Sequence, residues 1–284
     1  MNDSKSGNKE HSVLIQRTIS SLIAIPIIAA CVWFGEIWFT ILVAGWSLGT
    51  AWEFYHILQR SRGLSPFTYF GMAWVLFFVI SPHLGQYLFF AKIPAAIFIL
   101  TAGVILSLVI MLGRRDKENA FTNWTWTLGG ILYIGWLLSQ YVALRRIDTV
   151  HGGWVFLALF CTFASDSSAY LVGRVFGKHK MAPYISPKKS WEGAAAAVAG
   201  AGIISIVVSY LFNLPLDYWQ AFILGILISI LGQLGDLVKS LFKRNMEIKD
   251  SGKVLPGHGG FLDRMDSLAF TGVMVYYFVV LVVI

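Results

Sequence analysis

Long apolar runs alternate with short polar breaks along the chain, and most of the charge collects in the breaks. A helix needs about 20 apolar residues to span a bilayer. Runs of that kind lie near 15–34, 36–57, 66–82, 92–112, 124–144, 153–174, 191–212, 218–243 and 265–284. The third is short and reads as tilted or re-entrant, and 83–91 reads as an interfacial piece. Residues 1–12 are polar and read as a disordered tail. The first run reads as a retained helix, because no clear small-residue cleavage site precedes the next one. The pattern predicts an all-α, polytopic integral membrane protein with about nine transmembrane helices.

The charges between the runs orient it. Lys5, Lys9 and Arg17 flank the first span, Arg60 and Arg62 follow the second, and Arg114, Arg115 and Lys117 follow the fourth. Lys178, Lys180, Lys188 and Lys189 follow the sixth; Lys243, Arg244, Lys249 and Lys253 follow the eighth. Nine spans place all of these groups on one side, which the positive-inside rule makes the cytoplasm. The N-terminus is therefore expected inside and the C-terminus outside. Arg145 and Arg146 break the pattern and are expected to snorkel or pair near the far interface. The expected organisation is a tail (1–12), N-terminal transmembrane helices (13–150) and a C-terminal transmembrane region (151–284) with cytoplasmic loops 175–190 and 244–264.

Composition sharpens this picture. The chain is 57% hydrophobic and 13% charged, against about 25% charged in soluble domains, so a separate soluble domain is excluded. The positive-inside loops account for the net charge of +7, and no nucleic-acid partner is implied. Anionic lipids and nucleotides would benefit from the same charges. Cys31 and Cys161 fall within apolar runs without metal-ligand spacing and read as packing residues. Walker, dinucleotide-fingerprint and serine-elbow motifs are missing, which excludes those soluble nucleotide and hydrolase folds.

Three polar elements carry candidate chemistry. In the eighth span, Asp236, Lys239, Ser240 and Lys243 share one helix face at i, i+3, i+4 and i+7, and Gln233 extends it. In the sixth, Asp166 stands among Ser165, Ser167 and Ser168. Ionisable groups at membrane depth are costly and mark function by default, although a helix-end ion pair or an interhelical hydrogen bond is the plainer alternative for each. The third element is ISPKKSWEG, where Ser186, Lys188, Lys189 and Ser190 suit a phosphate grip, while Ser190 and Glu192 equally suit a helix start. Beyond the eighth span, KDSGKVLPGHGGFLDRMD sets backbone-freeing glycines beside His258, Asp263, Arg264 and Asp266. Asp263 and Asp266 open the last span, where they either complement the helix dipole or offer hard oxygen ligands to Mg²⁺.

The stretch 240–266 resembles the motif of the phosphatidate cytidylyltransferases, or CDP-diacylglycerol synthases. That pattern is matched by Ser240, Lys243, Arg244, Lys249, Asp250, Gly252, Pro256, His258, Gly259, Gly260, Asp263, Arg264 and Asp266. The likeness extends to Asp166, SPKKSWEG and GDLVKS, and so covers roughly 155–284. The N-terminal half resembles the family only in being several hydrophobic spans.

The resemblance implies an enzyme joining CTP to phosphatidic acid, giving CDP-diacylglycerol and pyrophosphate, with Mg²⁺ required. It also implies a second cation such as K⁺ and a homodimer in the cell (inner or plasma) membrane, with the active site facing the cytoplasm. The expected metal ligands are Asp236 and Asp263, with Asp166 or Asp266 completing the shell. Lys239, Lys243, Arg244 and Arg264 are expected to hold phosphates, helped by Lys249, Lys253, Ser240, Ser186, Lys188, Lys189 and the Gly259–Gly260 backbone. His258 is expected to position a phosphate or the leaving pyrophosphate. Two other readings compete: a CTP-dependent lipid-alcohol kinase, and a cation-coupled transporter with Asp166 and Asp236 on the path.

Overall fold

A computed structural model describes residues 22–84, 94–114, 117–147, 151–252 and 259–284. The tail, most of the expected interfacial piece, Lys253 and His258 lie outside the described residues. Each apolar run contains a helix. The helices are α1 (Leu22–Phe34), α2 (Glu36–Arg62), α3 (Thr68–Leu84) and α4 (Ala95–Leu112). Next comes α5 (Ala120–Gly130), which runs through a π-helical segment (Ile131–Trp136) into α6 (Leu137–Ile147). The C-terminal set is α7 (Gly153–Phe176), α8 (Trp191–Leu211), α9 (Tyr218–Asn245) and α10 (Leu262–Phe278).

Length and apolarity mark six of these as able to cross a membrane: α4, the α5–α6 rod, α7, α8, α9 and α10 with its π-helical extension. α1 and α3 are shorter, and α2 carries Glu36, Glu53, Arg60 and Arg62. The protein is thus an integral membrane protein of helical build. Its exposed residues include many large apolar side chains, such as Phe34, Leu112 and Leu281, which lipid would cover.

One element departs from a purely helical plan. Between α7 and α8, β1 (Lys180–Ala182) pairs antiparallel with β2 (Ser186–Ser190) in an irregular hairpin. Ser190 ends this hairpin and caps α8, accepting the Gly193 N–H at 3.2 Å. Glu192, expected in the acidic first turn, does lie there. Its carboxylate reaches back to His179, 2.6 Å from Nδ1, and closes the base of the hairpin. His179 had no expected role.

Small residues set the helix spacing. Gly200 of α8 faces Ser168 of α7 so closely that a Cβ would overlap its hydroxyl. Ala197 and Ala201 are fully buried in the same stripe, as close packing within lipid favours. At the opposite end, Arg145 donates to the Val32 carbonyl at 2.8 Å and Arg146 pairs with Glu36 at 3.3 Å. The two arginines that broke the charge pattern are therefore internally engaged.

Candidate active site

A cavity of about 600 Å³ opens between α7, the hairpin, the start of α8 and the polar end of α9. Asp166, Ser186, Lys188, Lys189 and Asp236 line it, together with Arg174 and Lys180. The last two had no expected place in the site. Arg174 lies eight residues after Asp166 in the last turns of α7, where it faces the same side; that spacing was the available signal. The hairpin brings Lys180 opposite Ser190, a pairing invisible to helical periodicity.

The polar face of α9 meets α10 beside this cavity. Lys189 Nζ stands 2.6 Å from Asp236 Oδ2 and also donates to the Gln233 carbonyl at 3.3 Å. Lys239 Nζ contacts three oxygens: Asp236 Oδ1 at 3.1 Å, the Asp263 carbonyl at 3.1 Å, and the Asp266 carboxylate. The acids and lysines are all mostly buried, which strengthens each pair relative to the same contact in water. Gly235 makes this meeting possible. A Cβ there would stand 2.6 Å from the Asp266 carbonyl, so only glycine lets α10 approach so near.

The acids divide into two groups. Asp166, Asp236 and Asp266 lie within electrostatic reach of one another. Asp166 makes no hydrogen bond or ion pair among the described residues. Asp263 turns elsewhere. It pairs with Lys243 at 2.6 Å and accepts from Ser251 N–H at 3.0 Å, Ser251 Oγ–H at 2.9 Å and Gly260 N–H at 3.3 Å. Asp236 and Asp263, the two expected metal ligands, have different partners here: Lys239 joins Asp236 to Asp266, and the Asp263 carboxylate turns to Lys243. Among the described residues no three acids, histidines or cysteines are gathered closely enough to form a ready metal cage. Lysines instead neutralise three of the acids, Asp236, Asp263 and Asp266.

The remaining expected residues fall around this core. Gly260 N–H serves Asp263, and Gly259 adopts a left-handed φ of 86° against the same carboxylate. Ser240 is half-buried on α9; Arg244, Lys249 and Arg264 are exposed at the same end. Arg244 also donates to the Ile185 carbonyl at 3.4 Å, tying α9 to the hairpin turn.

Two further residues were missed. Tyr133 comes from the π-helical segment, a feature that recurs at functional sites. Its hydroxyl is buried without a partner among the described residues and lies within electrostatic reach of Asp236 and Asp266. Glu53 comes from α2 and accepts backbone N–H groups at the start of α10. A carboxylate in the middle of AWEFYH was the signal for it.

A charged cavity and a buried lysine–carboxylate network within an apolar helical body mark a membrane-embedded site for an anionic substrate. Comparison with known proteins gives the class. The family model described as the Cytidylyltransferase family matches residues 15–282. A phosphatidate cytidylyltransferase of Bacillus subtilis is 31% identical over 271 residues, covering 94% of this chain and 97% of that one. One from Synechocystis is 31% identical over 298 residues, covering 94% and 96%. Phosphatidate cytidylyltransferase 5, chloroplastic, of Arabidopsis thaliana is 33% identical over 269 residues, covering 85% and 65%. The chain belongs to the cytidylyltransferase family and is a nucleotidyltransferase. The similarity spans both halves of the chain, so the N-terminal helices belong to the family fold as well.

Proposed function

We propose that this protein is a phosphatidate cytidylyltransferase, converting CTP and phosphatidic acid into CDP-diacylglycerol and pyrophosphate in phospholipid synthesis. The observation that carries this reading is the Lys189–Asp236–Lys239–Asp266 network, set beside a cation-lined cavity at one end of the membrane helices. Both substrates are anions, and bringing them together requires concentrated positive charge. A phosphate oxygen of the lipid attacks the α-phosphorus of the nucleotide in line. The bond from that phosphorus to the oxygen bridging to the β-phosphate breaks, and pyrophosphate leaves with the electron pair. The lipid phosphate is already ionised near neutral pH and needs no general base.

Positioning and electrostatic stabilisation supply most of the catalysis in such transfers. Lys188, Lys189, Arg174 and Lys180 hold nucleotide phosphates from the hairpin side. Lys239, Lys243, Arg244 and Arg264 offset charge at the reacting phosphates, and Ser186 and Ser240 donate hydroxyls. The donor set suits Mg²⁺, being hard carboxylate oxygens, and the Lys239 ammonium among three oxygens marks a place that favours a cation. Asp236 and Asp266, with Asp166 beside them, would hold the ion; Asp263 borders the site through Lys243. Held there, Mg²⁺ would supply charge neutralisation for the phosphate oxygens. The reading places loops 175–190 and 244–264 at the cytoplasmic face, with all nine helices crossing and the N-terminus inside. Labelling of single cysteines in those loops from outside intact cells would overturn that orientation.

The deciding experiment uses purified protein in detergent with α-labelled CTP, phosphatidic acid and Mg²⁺. A CDP-lipid with pyrophosphate is expected. Labelled CDP together with a phosphorylated lipid alcohol would instead make the protein a lipid kinase. Asp236→Asn and Asp266→Asn should each abolish turnover, and full activity in both would sink the metal assignment.

A further inference from the structure

Glu53 sits within α2 at 7% exposure, far in sequence from every other residue of the site. A buried carboxylate persists only where its oxygens are satisfied. Its Oε1 accepts the Phe261 N–H at 3.0 Å, and Oε2 accepts the Leu262 N–H at 3.0 Å. Phe261 caps α10 and Leu262 opens it. The carboxylate therefore takes two of the amides that a helix start leaves unpaired and sets a negative charge against the positive end of the dipole.

The contact continues into the site. The Ser251 hydroxyl lies 3.1 Å from Glu53 Oε2 and 2.9 Å from Asp263 Oδ2. One hydroxyl proton thus serves two carboxylates, and Ser251 links them. Gly252 and Gly260 pass so close that a Cβ on either would run into the Glu53 carboxylate. Bulk is excluded from the segment leading into α10 because an acid from another helix occupies the space.

We infer that Glu53 is a positioning residue for nucleotidyl transfer. From α2 it fixes the entry into α10 and, through Ser251, the orientation of Asp263, which in turn holds Lys243 toward the phosphates. The inference rests on the function proposed above. Glu53 itself touches no substrate.

The test compares wild type with Glu53→Gln, Glu53→Asp and Ser251→Ala, measuring steady-state kinetics and amide hydrogen exchange over residues 259–266. Glu53→Gln keeps the size but turns an NH₂ group toward a backbone N–H. Its turnover number should fall by up to roughly 100-fold, as a misplacement of about 1 Å at a reacting site can cost, with the KM for CTP unchanged. Exchange at 259–266 should rise, because the Phe261 and Leu262 amides lose their carboxylate acceptor, while α7 and α8 keep wild-type protection. Glu53→Asp should recover part of both, and Ser251→Ala should show a smaller loss in the same direction. Wild-type exchange at 259–266 in Glu53→Gln would overturn the inference. So would lower thermal stability with an unchanged turnover number per folded molecule. Should wild type make no CDP-lipid, the functional reading fails on its own, and the exchange measurement still decides whether Glu53 anchors α10.

Discussion

Lys189, at the end of the hairpin, reaches Asp236 on α9 across 2.6 Å. A residue of a polar loop and a residue of a membrane helix are thereby fixed to each other, and the loop becomes one wall of the site. Removing Lys189 leaves Asp236 with Lys239 as its remaining ion-pair partner and unties the hairpin from α9. Lys189→Met should therefore free the hairpin and lower CTP turnover at least tenfold, an effect of about 1.4 kcal/mol or more on the barrier. Limited proteolysis within 178–190 would report the loosening, and a wild-type digestion pattern would count against it.

Gly235 offers a steric test. Gly235→Ala places a methyl 2.6 Å from the Asp266 carbonyl and against the Phe270 ring. Overpacking of this kind costs about 1–3 kcal/mol. The thermal midpoint in detergent should fall, and turnover should fall with it, because Asp266 is displaced from Lys239. Gly45, whose Cβ would meet nothing within 4 Å, is the control: Gly45→Ala should leave both unchanged.

Tyr133 separates folding from chemistry. Its hydroxyl is buried and has no partner among the described residues, so Tyr133→Phe removes a desolvation cost of about 1–3 kcal/mol. The variant should be at least as thermostable as wild type. Its turnover should nevertheless drop, since the phenol stands near Asp236 and Asp266. A less stable variant with wild-type turnover would contradict both halves of the expectation.

Arg146 and Glu36 give the opposite case. Their pair is 3.3 Å long and partly exposed at the far end of the bundle. Such pairs contribute about 0–1 kcal/mol. Arg146→Gln should change neither stability nor turnover measurably, and a large loss of turnover would mean that this end of the molecule communicates with the site.

Divalent ion removal tests the acids together. Chelation should abolish CDP-lipid formation and Mg²⁺ should restore it. The wild-type thermal midpoint should scarcely move on chelation, because Lys239, Lys243 and Lys189 already neutralise the carboxylates.

The helices and the polar face of α9 were legible because both depend on local spacing. Asp236, Lys239 and Lys243 lie on one face by helical geometry alone, whatever surrounds them. Partner choice was not legible. Which acid meets Lys239 depends on how near α10 approaches, and that is decided by Gly235 and Phe270 in three dimensions. For the same reason the sequence could not show that the carboxylate meeting Asp236 at Lys239 is that of Asp266. The hairpin at 180–190 escaped because three- and five-residue strands carry too little periodicity to see. Glu53 and Tyr133 escaped because the charge count treats α2 and the α5–α6 rod as lipid-facing spans, whereas both turn a polar group inward to the C-terminal half. The number of crossings stayed open for a simpler reason: among the described residues α1 and α3 fall short of a full span, and α2 is too polar, for composition to decide.

The ammonium of Lys239, nested among three oxygens, means that the bundle can assemble during membrane insertion without waiting for a divalent ion. Mutual repulsion of the acids is already quenched by a tethered charge. On the proposed reading, Asp236 and Asp266 would hold the ion where the ammonium now balances them, and Lys239 would stand beside the phosphates whose charge it offsets.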